Sequence, residues 1–217
     1  MGALGNIGIV FLFTFIKFMS RKNPPYRANL KSAKNTLRII GGYWRGRKLS
    51  FINAPNLRPT PDRVRETLFN WLQRFISDAR CLDLFAGSGA LGLEALSRGA
   101  MEVVFIEKHR AAAQQLEQNL RLLAADSGVL QCDAKNYLQQ ATKAFDIIFL
   151  DPPFRQNWLP QILDIISQRQ LLQPNGLIYL EHEAEKNYQW QDWGLSAIKT
   201  TKAGQVKSYL LELNSQR

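Results

Sequence analysis

The chain predicts an α/β protein with a doubly wound parallel sheet, and three observations carry that prediction. From residue 80 onward, short apolar runs of strand length alternate with longer segments whose apolar residues recur at helical spacing. The first of these strands runs into a glycine-rich turn, Gly87-Ser88-Gly89-Ala90-Leu91-Gly92, that opens a helix. The fourth strand, ending at Leu150, is left by the run Asp151-Pro152-Pro153-Phe154. In such folds ligands bind outside the carboxyl ends of the strands, which is where both motifs fall.

The elements follow in order. Ala3 to Phe18 is strongly apolar, with only Lys17 charged. It is slightly short for a membrane span and lacks both the basic leader and the cleavage site of a signal peptide. Met19-Ser20-Arg21-Lys22 has the character of an ordinary soluble start, so residues 1–18 read as a start-site artefact, with a membrane anchor as the alternative. Polar, basic, proline-containing residues 20–36 predict disorder, so residues 1–36 form an extension ahead of the folded chain.

Residues 37–56 predict a small β-hairpin, with Leu37 to Ile40 and Lys48 to Phe51 flanking Gly41-Gly42. It presents Arg38, Tyr43, Trp44, Arg45, Arg47 and Lys48, side chains that fork onto phosphates or stack on bases. Trp44 can equally pack on the domain. Residues 57–217 form the main domain. Thr60 is a good N-cap, Pro61 suits the first helical position, and Asp62 complements the dipole. Val64, Leu68, Trp71, Leu72 and Phe75 give the helix an apolar face for the sheet.

Strands are then expected near 80–84, 102–106, 128–132, 145–150 and 176–181, and helices near 90–98, 109–124, 134–142 and 157–171. Leu195 to Thr201 and Gln205 to Leu213, separated by Ala203-Gly204, predict a closing hairpin.

Composition narrows the function. Cys81 and Cys132 share no metal-ligand spacing, fall in expected strands and read as buried thiols of a reducing cytoplasm. With only His109 and His182 besides, no metal site is expected. The net charge of +10 is unevenly placed. Residues 1–74 carry 14 Lys and Arg against Asp62 and Glu66 alone, whereas residues 75–217 carry 14 against 16 acids. A basic segment interleaved with aromatics points to nucleic acid.

The two motifs carry the chemistry. Glycines let the backbone turn tightly and approach a ligand at a helix N-terminus. Glu107 follows Gly87 by twenty residues at a strand end, where an acid can bind ribose hydroxyls. The turn also satisfies the dinucleotide pattern. However, Asp83 inside the loop would repel a pyrophosphate, while it could hold a cationic amino acid moiety. S-adenosylmethionine is the cofactor inferred, with Phe85, Ala86, Gly87, Gly89 and Lys108 beside Asp83 and Glu107. A leading helix over this site would bring Thr60 and Arg63 near its methionine end. At the second motif, the prolines stiffen the turn and aim the backbone. A carboxylate and a carbonyl aimed together can accept both hydrogens of a nucleobase amino group while an aromatic ring stacks on the base.

With these residues assembled, the chain resembles the bacterial methyltransferases that modify a guanine N2 of 16S ribosomal RNA. The likeness rests on Arg38-Ile39-Ile40-Gly41-Gly42 with Arg45-Gly46-Arg47, on Arg58 to Glu66, on Asp83 to Gly89, and on Asp151 to Phe154. It implies a Rossmann-like class I methyltransferase sheet of seven strands, the last antiparallel. It further implies that Asp151 and the Pro152 carbonyl hold the guanine amino group at a turn completed by Pro153, with Phe154 stacking. Asp133 corresponds to the acid that contacts the adenine amino group, with Ala134 supplying backbone, although Asp133 can equally cap the next helix. Glu181 and His182 lie at the fifth strand's end, His182 as a general base or a packing histidine. The expected partner is 16S ribosomal RNA, within an assembled or assembling small subunit, met by a cytoplasmic monomer with no membrane. A DNA adenine-N6 methylase would need a recognition domain for which the chain has no room. A non-catalytic RNA-binding factor would have no use for the intact acids and glycines.

Overall fold

The computed structural model describes residues 35–52 and 60–214. The apolar 1–18 stretch, residues 20–34 of the basic segment, and Arg58 and Pro59 lie outside the described residues. Among those described, no helix is long and apolar enough to cross a membrane.

The chain forms β1 (Asn35–Arg38), β2 (Lys48–Phe51), α1 (Asp62–Trp71), β3 (Arg80–Asp83), α2 (Ala90–Ser97), β4 (Glu102–Ile106) and α3 (Arg110–Leu123). It continues through β5 (Val129–Leu130), α4 (Ala134–Gln140), β6 (Phe145–Leu150), α5 (Trp158–Gln168) and β7 (Leu172–Glu183). A short 3-10 turn, Trp190–Trp193, leads to β8 (Leu195–Ala203) and β9 (Val206–Leu213). Seven strands form one sheet in the order β5-β4-β3-β6-β7-β9-β8. Strands β3 to β7 pair in parallel, and β9 runs antiparallel to both β7 and β8. The winding direction reverses between β3 and β6, so the ends of these two strands, Asp83 and Leu150, flank the switch point.

The central strands are buried on both faces, which is why they read as continuous apolar runs. Ile147, Phe149, Leu177 and Tyr179 belong to one core cluster, and Ile148, Leu150, Ile178 and Leu180 to the other. Strand β7 begins at Leu172, earlier than the expected 176, and its register against β6 shifts between Phe145 and Ile147. Gln173-Pro174-Asn175-Gly176 reads as a turn in isolation, and the sheet absorbs it as an irregularity.

Several local expectations are corrected. Thr60 does not cap α1: Pro61 occupies the N-cap with no side-chain cap bond, and the Thr60 hydroxyl points to Asp151 instead. The helix ends at Trp71, leaving Phe75 beyond it and 47% exposed, while Phe69 is fully buried in its place. The fifth expected strand shrinks to Val129–Leu130, so Cys132 lies past it and only half-buried, whereas Cys81 is buried as expected.

The β1–β2 hairpin docks on α2 through a carboxylate that sequence reasoning passed over. Glu94 is fully buried, accepting the backbone N–H of Ile40 and of Gly41 at 2.8 Å each and Arg98 Nε at 2.7 Å. Ser97 adds a bond from its hydroxyl to the Gly41 carbonyl at 2.6 Å and accepts the Trp44 N–H at 2.9 Å. The approach is close enough to require glycine: a Cβ on Gly42, whose φ is +75°, would sit 1.8 Å from the Ser97 carbonyl oxygen.

Candidate active site

Acidic side chains end successive strands around the switch point. Asp83, the last residue of β3, is 3% exposed and accepts the Gly92 N–H at 2.9 Å from the first turn of α2. Burial raises its pKa to about 7, with the Gly92 bond opposing and the carboxylates of Asp151 and Glu107 adding. Glu107 follows β4 and braces the glycine turn: one oxygen accepts the Gly87 N–H at 2.8 Å, the other the His109 N–H at 2.6 Å. Each carboxylate oxygen keeps a second acceptor site. Gly87 and Gly89 adopt φ of 52° and 78°, left-handed values that favour glycine. Ala86 is buried and Phe85 half-buried, its ring edge-on to Trp158 at 5.8 Å.

Asp133 follows β5, and the capping alternative is present. Its Oδ1 accepts the Lys135 N–H at 3.0 Å, making it the N-cap of α4 above the buried Ala134. Its Oδ2 meets Lys108 Nζ at 3.3 Å, so these two expected cofactor residues pair with each other.

Asp151 leaves β6 on the stiffened Pro152-Pro153 turn. Thr60 Oγ1 donates to its Oδ2 at 3.3 Å. Burial raises its pKa to about 6, with the Thr60 bond opposing. Pro152 is buried, Pro153 exposed, and the Phe154 ring is 44% exposed. The loop beyond is pinned, since the Arg155 N–H donates to the Glu183 carboxylate and Lys186 Nζ to Asn157 Oδ1 at 3.2 Å. A hollow beside the turn is lined by Pro152, Phe154, Trp158, Glu181, His182 and Tyr188. Glu181 is 6% exposed and accepts the Tyr179 hydroxyl at 2.6 Å. Burial, then the nearby Asp151 charge, raises its pKa to about 8.

His182 packs among aromatic rings, while its buried Nε2 has no hydrogen-bond partner among the described residues. Its ring stacks on Tyr209 at 5.3 Å and meets Tyr188 edge-on at 5.1 Å, its Nδ1 lies 2.8 Å from the Glu183 carbonyl, and burial lowers its pKa. Arg63 lies on the exposed side of α1, away from the buried face that carries Arg65, Leu68 and Phe69. The hairpin side chains divide. Trp44 is half-buried against the core and Tyr43 is 90% exposed. Arg38 pairs with Asp62 at 3.2 Å, Arg47 donates to the Leu122 carbonyl at 3.0 Å, and Arg45 and Lys48 are exposed.

Arg65 was also missed. It is 1% exposed and donates to the Thr60 carbonyl at 3.2 Å, the Arg38 carbonyl at 2.9 Å and Asp62 at 2.7 Å, with Glu94 at 3.5 Å. A helix-face pattern marks it as solvent-facing; only the hairpin packed above it makes it interior.

The donor set fits S-adenosylmethionine. Among the described residues, no ion pair neutralises Asp83, Glu107, Asp151 or Glu181. An acidic, partly desolvated cluster around a glycine turn suits a ligand bearing sulfonium and ammonium charges and opposes a pyrophosphate. Among the described residues, no group of three or more His, Cys, Asp or Glu could hold a metal ion.

Comparison with known proteins agrees. Residues 37–212 match the family model described as conserved hypothetical protein 95. The chain is similar to the ribosomal RNA small subunit methyltransferase D of Escherichia coli strain K12, 47% identical over 188 residues, covering 85% of this chain and 94% of that protein. The protein of the same name from Haemophilus influenzae is 46% identical over 176 residues, covering 78% and 91%. A solved Escherichia coli structure described as a candidate methyltransferase superposes with a TM-score of 0.78 at 46% identity, covering 84% of this chain and all of that one. A T. thermophilus 16S rRNA guanine-N2 methyltransferase, solved with AdoMet and guanosine, shares the fold with a TM-score of 0.61 at 23% identity, covering 83% of this chain and 50% of that one.

Proposed function

Because the chain belongs to the conserved hypothetical protein 95 family, we propose that it methylates 16S ribosomal RNA with S-adenosylmethionine, at the exocyclic N2 of one guanine. The observation that carries the chemistry is Asp151, a carboxylate without a counter-cation among the described residues, held at the switch point beside the glycine turn. Asp83 binds the positive end of the cofactor, Glu107 its ribose hydroxyls, and the turn at Gly87 and Gly89 lets the backbone approach it. Asp133 and Ala134 face its adenine, Phe85, Ala86 and Lys108 line the site beside them, and Thr60 and Arg63 stand toward its methionine end. The cofactor supplies an activated methyl group on a sulfonium, so the protein's task is placement.

Asp151 and the Pro152 carbonyl accept the two N2 hydrogens and turn the nitrogen toward the methyl carbon. Phe154 stacks on the base, and its exposure leaves the ring available. As the new bond forms, N2 must shed a proton, and Asp151 is the acceptor already bonded to it. Alignment of nitrogen, carbon and sulfur supplies much of the acceleration. Arg45 and Lys48, with Arg38, Tyr43, Trp44 and Arg47 on the same hairpin, form the RNA footprint of residues 37–56, ahead of a catalytic domain over 57–217. The protein acts in the cytoplasm as a monomer on the small subunit or its precursor.

The test is incubation with labelled S-adenosylmethionine and undermethylated small-subunit RNA, naked and assembled, followed by digestion to nucleosides. Label in N2-methylguanosine is expected. Label in N6-methyladenosine, or none in either form of RNA, would overturn the assignment.

A further inference from the structure

A second acid stands beside Asp151 and the chemistry above leaves it unused. Leu150 of β6 is paired with Leu180 of β7, so Asp151 and Glu181 are the next residues of neighbouring strands at the sheet's carboxyl edge. Alternation puts both on the face of Phe149 and Tyr179, which share one core cluster. Each acid has one oxygen held by a hydroxyl, Thr60 Oγ1 to Asp151 Oδ2 at 3.3 Å and Tyr179 Oη to Glu181 Oε1 at 2.6 Å. Glu181 Oε2 makes no hydrogen bond among the described residues and is not sealed off. Glu181 lines the hollow with Pro152 and Phe154.

Three nucleobases carry an exocyclic amino group, and their neighbouring ring atoms differ. The ring nitrogen beside the amino group is an unprotonated acceptor, N1, in adenine and likewise N3 in cytosine. In guanine, one of the two ring nitrogens flanking the amino group is a donor, N1–H. A site with one acid on the amino group and a second, ionised acid beside it therefore matches guanine alone, whereas a protonated acid there would donate to adenine N1 or cytosine N3.

We infer that Glu181 is a specificity-determining residue that accepts the N1–H of the target guanine, while Asp151 addresses the adjacent N2. The inference rests on the amino-methylation reading of Asp151 and adds the reason the base is guanine. Tyr179 fixes which oxygen faces the base, so the acid is aimed before the base arrives. Facing adenine or cytosine, the same oxygen would meet a lone pair, and a buried acceptor left unpaired discriminates strongly.

The test compares guanosine with 2-aminopurine riboside, which keeps the 2-amino group but has an unprotonated N1, as inhibitors of methyl transfer to undermethylated small-subunit RNA. Above about pH 8, where Glu181 is ionised, the wild type should bind guanosine at least about tenfold more tightly, the scale of one hydrogen bond to a charged group. Glu181→Gln lets an amide N–H face the base, so its preference should vanish or invert, with the ratio measured at saturating cofactor. Tyr179→Phe keeps the acid and removes its anchor, and should give an intermediate ratio. A wild-type ratio near one, or an unchanged ratio in both variants, overturns the inference. Should Glu181→Gln fail to bind cofactor, Tyr179→Phe decides alone, a wild-type ratio overturning the idea. The methylated nucleoside made by the wild type tests the underlying reading separately, since N6-methyladenosine there would defeat that reading whatever Glu181 does.

Discussion

Asp83→Asn separates what the site does for the cofactor from what it costs the fold. Asp83 is almost wholly buried with one backbone N–H as its partner, and its pKa stands at about 7 against an ordinary 3.8. The sign follows from linkage: the folded state binds this proton more tightly than the unfolded chain, so stability falls as pH rises from about 4 to about 7 and is level above. A separation of about three pH units, at about 1.36 kcal/mol each, amounts to a penalty on the order of 4 kcal/mol at pH 8. Asparagine keeps an acceptor for Gly92 and removes the charge. Its buried NH2 costs about 1–3 kcal/mol, but equally at every pH. The readout is therefore the change in the melting gap between variant and parent, without cofactor, from pH 4 to pH 8. At roughly 2–4 °C per kcal/mol for a chain of this size, the gap should move by roughly 8–16 °C in the variant's favour. Cofactor affinity, by calorimetry, should fall in the same variant. A melting gap independent of pH, or unchanged affinity, would refute the idea that Asp83 is a strained acid awaiting a cation.

Asp151→Ala should lower methyl transfer by about 10²-fold or more with cofactor binding retained, as expected for one aimed acceptor in a water-poor site. In the parent, kcat/KM should rise with pH through about 6, where Asp151 ionises, and a flat profile there would remove it from the chemistry. Glu107→Ala should raise the cofactor Kd more than it lowers saturated turnover, because ribose contacts are alike in ground and transition states; its bonds to the Gly87 and His109 N–H groups make a modest loss of melting temperature part of the expectation. Replacing Arg45, Arg47 and Lys48 together should flatten the salt dependence of RNA binding, measured by titration, and an unchanged slope would move the footprint to α1. Gly42→Ala should destabilise the hairpin dock by about 2 kcal/mol or more in denaturant unfolding, since its Cβ would meet the Ser97 backbone at 1.8 Å.

What could be read from the chain was whatever is local. Alternating periodicity located the strands and helices of the sheet, and Asp83, Gly87, Gly89, Glu107 and Asp151 gather because topology places strand ends together. Arg65 and Glu94 were invisible for the opposite reason. Arg65 sits among polar neighbours on a helix, and Glu94 among leucines, yet each is interior because β1 and the loop after it, over fifty residues from Glu94, come to rest against both. Thr60 shows a third case, a residue with every credential of a cap whose hydroxyl is claimed by Asp151, 91 positions away. Residues 173–176 fall in the register shift opposite Phe145 to Ile147, so continuous pairing with β6 runs from Leu177, close to the expected strand start.

The dock of the hairpin on α2 also sets an order on synthesis. Ile40 and Gly41 are made early, but the carboxylate that receives their N–H groups lies 54 and 53 residues later, and the Asn119 amide that bonds the Ser50 carbonyl lies 69 residues beyond it. At about 5–20 residues per second, the segment waits roughly 3–14 s outside the ribosome before its seat exists. Two short strands cannot hold themselves together for that time. Nor can α2 settle first at no cost, because without the hairpin Glu94 keeps only its arginine partners and loses two backbone donors. The end of the chain that is born first is therefore among the last to be placed, and a fusion or stall that delays α2 leaves a basic, unpaired ribbon exposed.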